Sequence, residues 1–277
     1  MPVALVTGAT AGIGAAFVAQ LAREGSDLVL VARTESRLIE QAAELTQRYG
    51  IAVQVIAADL STDDGLDRVE ARVGYSTAPI DTAPIDTAPI DTAPIDAAPI
   101  DLLVNNAGFG LEADFLYSDV ADEDRMLAVN VRAVMRLTHA ALPGMVARGS
   151  GGILNVSSVA GSVPAATGAT YGASKAWVTA FTESLSMLVK DRGVQLTALC
   201  PGFTRTEFHE RVGVSRGGVP ERLWLDAADV VATGLRDHRR GAVISVPGVQ
   251  YKASVLGARL VPRGVLRWMS ARVTAET

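Results

Sequence analysis

Short continuous apolar runs alternate along this chain with stretches whose apolar residues recur every three or four positions. The runs lie at 3–6, 28–32, 51–58, 100–104, 152–156, 194–199 and 242–246. The periodic stretches predict helices over 13–23, 36–49, 122–147, 171–192 and 226–238; in the first of these, Ile13, Phe17 and Leu21 form one stripe. Strands whose apolar residues run on continuously, not at every second position, belong to a parallel sheet covered on both faces. With right-handed crossovers, the alternation predicts a single α/β domain with a doubly wound parallel sheet, the Rossmann fold.

One segment departs from this pattern. Thr77-Ala-Pro-Ile-Asp81 recurs from Thr82, Thr87 and Thr92, and a variant copy starts at Ala97. A proline every five residues suits neither helix nor strand interior. Residues 77–101 are therefore expected to be a loop inserted into one domain that spans 1–277. The insertion changes how composition is read. The chain has 277 residues with 25 Lys+Arg against 30 Asp+Glu, a net charge of -5. Asp81, Asp86, Asp91 and Asp96 of the repeats carry most of that acidity. A chain this close to neutral lacks the basic footprint of a nucleic-acid binder. Its one cysteine, Cys200, excludes a disulfide framework, and His139, His209 and His238 lack the spacing of metal ligands, so no metal is expected. Strand-like sequence from Val3 leaves no room for a signal peptide, and no uncharged apolar run is long enough to span a bilayer; a cytoplasmic protein is expected.

Chemistry concentrates at the ends of the apolar runs. Thr7-Gly8-Ala9-Thr10-Ala11-Gly12-Ile13-Gly14 joins the first strand to the first helix. Gly8 permits a tight turn, Gly12 a close approach of phosphate to backbone, and Gly14 close packing of helix on strand. The unpaired N–H groups and positive dipole end of the helix suit a pyrophosphate. At the end of the second strand stands Arg33, where an acidic residue would favour a free ribose 2′-hydroxyl; a guanidinium instead suits a 2′-phosphate, although Glu35 lies close by. Tyr171 and Lys175, four apart, share one face of a helix. An ammonium beside the phenol is expected to lower its pKa from about 10 toward the working range. Ser158 places a hydroxyl at the end of the fifth strand, thirteen residues before Tyr171, while Ser157 is expected to bond to backbone. Asn130 interrupts an apolar helical stretch, where a buried amide needs partners.

In this order the motifs resemble those of the short-chain dehydrogenase/reductase family, in its NADP-preferring form. The Gly-x3-Gly-x-Gly spacing, Asp59-Leu60 after the third strand, Asn105-Asn106-Ala107-Gly108 after the fourth, Tyr171-x3-Lys175, and Pro201-Gly202 with Thr204 and Thr206 all carry the likeness. The resemblance implies a catalytic set of Asn130, Ser158, Tyr171 and Lys175. It implies coenzyme contacts from Thr7, Gly8, Thr10, Gly12, Ile13, Gly14, Arg33, Asp59, Leu60, Asn106, Ala107, Gly108, Tyr171, Lys175, Pro201, Gly202, Thr204 and Thr206. In that scheme Asp59 and Leu60 meet the adenine, Thr204 and Thr206 the nicotinamide carboxamide, and Asn130 anchors a water in a proton relay.

The implied activity is hydride transfer between NADP(H), favoured over NAD(H), and a carbonyl or secondary alcohol. The family's variable substrate lid falls at 203–225, where Phe208, Val212, Leu223 and Trp224 suggest a lipophilic substrate: a ketoacyl, steroid-like or other ketone. A non-catalytic NADP(H)-sensing protein of the same fold is the alternative. The resemblance also implies a homodimer or homotetramer. The tail at 249–277 mixes Lys252, Arg259, Arg263, Arg267 and Arg272 with Leu256, Leu260, Val265, Leu266 and Trp268. It is read as an amphipathic segment packing on its own domain or a subunit interface, with a membrane surface as the lesser alternative.

Overall fold

A computed structural model describes residues 1–74, 95, 98–113, 115–164, 168–208, 219–262 and 264–267. Seven parallel strands form its main sheet: β1 (Val3–Thr7), β2 (Asp27–Ala32), β3 (Val53–Ala57), β4 (Leu102–Asn105), β5 (Gly151–Val156), β6 (Val194–Leu199) and β9 (Ile244–Ser245). Their order is β3-β2-β1-β4-β5-β6-β9, so the winding reverses between β1 and β4. At such a reversal, the loops leaving neighbouring strands diverge and open a crevice at the carboxyl edge of the sheet.

Alternation of side chains along each strand explains the two layers of core. Leu5, Val29, Val31, Leu103, Ile153 and Leu196 face one way, against α3 (Asp63–Gly74) and α5 (Val134–Arg148). Val6, Leu28, Leu30, Val104, Leu154 and Leu199 face the other. They meet α1 (Gly12–Arg23), α2 (Glu35–Tyr49) and α7 (Ala227–Arg239). Both faces are covered by helices, as largely apolar strands require. Between α3 and α5, Arg136 bonds Glu70 through Nε at 2.5 Å and Asp67 through Nη2 at 2.7 Å.

The helix expected over 122–147 is built in three parts: α4 (Val120–Leu127), a π turn (Ala128–Ala133) and α5. Two more helices bear on the site, α6 (Ala169–Leu188) and α8 (Val249–Leu260). A small second sheet pairs β7 (Thr204–Arg205) with β8 (Leu225–Asp226). Most of the pentapeptide repeat lies outside the described residues. Of it, Ile95 accepts a bond from Arg72 Nη2 at 2.6 Å, and Ile100 is buried and accepts from Arg148 Nη2 at 2.5 Å. Among the described residues no helix is long and apolar enough to cross a membrane.

Candidate active site

All the site residues expected from the sequence stand at or beyond the carboxyl ends of the parallel strands or on α6 and the π turn that face them. Gly8 and Gly12 have φ of +67° and +53°, a region costly for residues with a β-carbon. A β-carbon on Gly14 would lie 2.1 Å from the Gly8 carbonyl oxygen, so α1 starts as close to the turn as a chain can come. Ala11 caps α1 without a side-chain bond, and no acidic residue occupies its first turn. The first N–H groups of α1 thus meet no capping carboxylate or hydroxyl of their own, and these residues fit a dinucleotide pyrophosphate.

Thr7 is buried and holds the two sides of the crevice together. Its Oγ1 accepts from the N–H groups of Asn106 and Ala107, both at 3.0 Å. Asn106 Nδ2 returns a bond to the Thr7 carbonyl at 2.9 Å. Thr7 and Asn106 therefore shape the cradle with their side chains. Leu60 is also buried, within the α3-side core, so its side chain contributes to packing. Asp59 bonds the Ser61 N–H and hydroxyl at 2.9 and 2.7 Å. Burial works to raise its pKa, but these Ser61 bonds, with Arg125 and Arg33 nearby, hold the carboxyl below its ordinary value. Arg33 is exposed at the end of β2. Arg125, which the sequence reading did not single out, also lies over the Phe109 ring, 5.7 Å from its centroid.

Ser157 and Ser158 separate clearly. Ser157 is buried and donates to the Lys175 carbonyl at 2.7 Å, a bond that fixes α6 on the sheet. The Ser158 Oγ accepts from Ala160 N–H at 3.1 Å, and its side chain stands near enough to the Tyr171 hydroxyl to favour the phenolate. Lys175 is buried, and its Nζ donates to the Val156 carbonyl at 2.9 Å while lying 5.8 Å from the Tyr171 ring centroid. Burial pushes Lys175 down to about 8. Burial pushes Tyr171 up to about 12, opposed by the nearby Ser158 side chain. This reverses the expectation of a lowered phenol. The ammonium is engaged with the Val156 carbonyl, and desolvation of the phenolate outweighs any help it gives.

Asn130, fully buried in the π turn, spends its amide on protein partners. Nδ2 donates to the Phe109 carbonyl at 2.9 Å and to Ser174 Oγ at 3.2 Å; Oδ1 accepts from Phe109 N–H at 3.1 Å. Both amide hydrogens are thereby used, and one Oδ1 lone pair remains. Oδ1 and Lys175 Nζ border the point where a Gly108 β-carbon would sit, at 2.9 and 3.3 Å. Glycine at 108 keeps the space between these two polar atoms open. Ser174 donates to the Tyr171 carbonyl at 2.7 Å and so links Asn130 to the turn of α6 that carries Tyr171. Its signal was present in the sequence, one residue before Lys175, but nothing in the spacing gave it a partner.

The residues expected around the substrate divide. Phe208 comes to 5.6 Å from the Tyr171 ring, centroid to centroid. Trp224 is buried against Phe203 at the same distance, with Nε1 bonded to the Val219 carbonyl, so its ring packs on the domain. Val212 and His209 lie outside the described residues. Of the other histidines, His139 is exposed on α5 and His238 is buried at the opposite edge of the sheet. Among the described residues no cluster of His, Cys, Asp or Glu is placed to hold a metal ion.

Comparison with known proteins places this geometry in context. The family model described as short chain dehydrogenase matches residues 2–84 and 86–216. A very-long-chain 3-oxoacyl-CoA reductase of Anas platyrhynchos is 33% identical over 245 residues, which cover 87% of this chain and 71% of that protein. The chain spans 60% of the bovine protein of the same name. Among solved structures, a short-chain dehydrogenase from Sphingobium yanoikuyae in complex with NADPH superposes with a TM-score of 0.80 at 32% identity, covering 94% of each chain. The bulky-bulky ketone specific alcohol dehydrogenase from Comamonas testosteroni gives 0.76 at 28% identity, over 94% of this chain and 92% of that one.

Proposed function

The chain belongs to the short-chain dehydrogenase family of oxidoreductases, and we propose that it is an NADP(H)-dependent carbonyl reductase or alcohol dehydrogenase acting on a lipophilic substrate. The observation that carries this reading is the grouping of Ser158 and Tyr171, near enough for Ser158 to act on the Tyr171 hydroxyl, with buried Lys175 beside the Tyr171 ring. When bound, NADPH supplies hydride to the carbonyl carbon.

The chain's own residues manage the oxygen. Tyr171, held protonated by burial, donates its proton to the developing alkoxide. Ser158 gives a second hydrogen bond to the same atom, so charge is met where it forms. Lys175, at about 8, remains an ammonium at neutral pH and would hold the nicotinamide ribose. Asn130 fixes the Phe109 segment and, with its remaining lone pair facing the open space over Gly108, leaves a position for a relay water. The remaining crevice residues would hold the coenzyme: Gly8 to Gly14 the pyrophosphate, Asp59 and Gly108 the adenosine, and Pro201 to Thr206 the nicotinamide.

Arg33 supports NADP(H) over NAD(H), because an exposed guanidinium after β2 suits a 2′-phosphate where a carboxylate would repel it. Phe208 against Tyr171 supports a lipophilic substrate. The Sphingobium relative was solved with NADPH, and the Comamonas enzyme is specific for ketones with two bulky sides; both agree with the reading. A sensor without turnover is disfavoured by the same Ser158–Tyr171–Lys175 set, which binding alone does not need. We further propose a cytoplasmic homodimer or homotetramer in which α8 packs on its own domain, since Tyr251 and Val255 turn inward.

NADPH oxidation followed against ketones of increasing chain length tests the reading. Turnover is expected to rise with apolar size. Equal use of small polar carbonyls would remove the lipophilic assignment, and faster reaction with NADH would remove the coenzyme assignment.

A further inference from the structure

Tyr251, on α8, lies outside the catalytic set, yet it supports the turn after β6. The hydroxyl end of its ring occupies the place of a Gly202 side chain: a β-carbon there would be 2.0 Å from Tyr251 Cζ. Its hydroxyl accepts from Phe203 N–H at 3.0 Å and donates to the Leu223 carbonyl at 2.6 Å. One oxygen thus ties together two backbone positions twenty residues apart. The same junction is closed by Leu225 N–H bonded to the Phe203 carbonyl at 2.8 Å and by Arg205, which pairs with Glu221 and with Asp226.

The stretch leaving Gly202 comes close to the glycine turn at its other end. Thr204 Oγ1 donates to the Gly202 carbonyl at 3.0 Å, and Thr206 comes to 3.1 Å from where a Gly12 β-carbon would sit. Residues 202–206 therefore span a gap between the pyrophosphate cradle and Tyr251. We propose that Tyr251 is a positioning residue for the nicotinamide end of the coenzyme: from behind the sheet edge it sets the placement of the Gly202–Thr206 backbone. This rests on the coenzyme reading above. Shape alone does not provide the support, because the ring would pack as well without its hydroxyl; the two backbone bonds need the oxygen. The adenosine end is built from the ends of β1, β2, β3 and β4, which Tyr251 does not touch, so its loss acts on one half of the coenzyme.

The test is Tyr251→Phe, which keeps the ring and deletes both bonds. Amide hydrogen exchange, NADPH binding and binding of 2′,5′-ADP, the adenosine half alone, are measured by the side of wild type. The expected result is exchange at Phe203 at least tenfold faster, NADPH affinity about tenfold weaker, and 2′,5′-ADP affinity unchanged. Equal weakening of both nucleotides marks a general loosening and overturns the proposal. So does faster exchange with NADPH affinity intact, or no change in any readout. Wild type that binds neither nucleotide defeats the coenzyme reading itself and the proposal with it.

Discussion

Tyr171 and Lys175 move in opposite directions for one reason, that burial disfavours the charged form of each. The pair is accordingly set as an acid and a weakly held ammonium, the protonation states that carbonyl reduction needs. Arg33 differs in being exposed, with Asp59 near enough to feel its charge, and the proposed role is to hold a 2′-phosphate. Charge-assisted hydrogen bonds are worth about 1.5–3 kcal/mol. Arg33→Ala should therefore raise the KM for NADPH about tenfold or more and leave the KM for NADH unchanged. Initial-rate kinetics with both coenzymes check this, and a parallel rise for NADH would count against a 2′-phosphate contact. Most of these residues were legible in the sequence because each pairs a chemical type with a strand end: Gly12 after β1, Arg33 after β2, Ser158 after β5. Ser174, Arg125 and Tyr251 were not legible. Their partners lie far away in sequence, and serine, arginine or tyrosine on a helix usually signifies nothing. The lowered phenol was misjudged because spacing reports the nearness of Lys175 and is silent about desolvation.

Among the elements, the long helix beside the crevice shows how far periodicity reaches. Apolar spacing marks one helix over 122–147 and finds its extent to within two residues, but the π turn at Ala128–Ala133 is invisible to it. One widened turn shifts the stripe too little to be seen, yet it carries Asn130 to Phe109 and Ser174. The two-residue strands β7 and β8 escape for a simpler reason, since two residues have no period. α7 supplies a different lesson. His238, near its end, is buried; Thr197 Oγ1 donates to the Ala242 carbonyl, so it accepts from His238 Nδ1 at 2.9 Å. Burial, helped by the charge of Arg239, pushes His238 down to about 4.

This histidine gives stability a defined acid limb. An unfolded chain takes up the proton near 6.5, whereas the folded one resists until about 4. Stability is thus fully present above the unfolded value and is lost as pH falls from about 6.5 to about 4. The loss is at most on the order of 3 kcal/mol. Denaturant unfolding across that range should show the loss in wild type and a smaller one in His238→Gln. Equal slopes would mean that carboxylates alone set the acid limb.

At the scale of the whole molecule, strand–helix alternation is enough to identify the doubly wound sheet, because seven largely apolar runs separated by helices admit few other arrangements. The order β3-β2-β1-β4-β5-β6-β9 then fixes where the site must be. The crevice opens between β1 and β4, and the glycine turn, Asn106–Gly108, Ser158 and the Pro201–Thr206 segment all leave strands on that edge. The pentapeptide repeat leaves this arrangement intact, since β4 takes its place beside β1 directly after it. Its sequence accounts for the acidity of the chain and says nothing about catalysis. The tail is only partly described, and there its inward face, Tyr251 and Val255, is what connects it to the site.

The central claim is that Tyr171 transfers the proton in an NADPH-dependent carbonyl reduction. Its most direct test is Tyr171→Phe, which removes the phenolic oxygen and keeps the ring, with NADPH binding and NADPH oxidation measured on the same preparation. Binding within twofold of wild type with turnover reduced about a thousandfold or more is the predicted result, on the scale of general acid catalysis combined with a lost oxygen contact. A variant that still turns over near the wild-type rate would contradict the account.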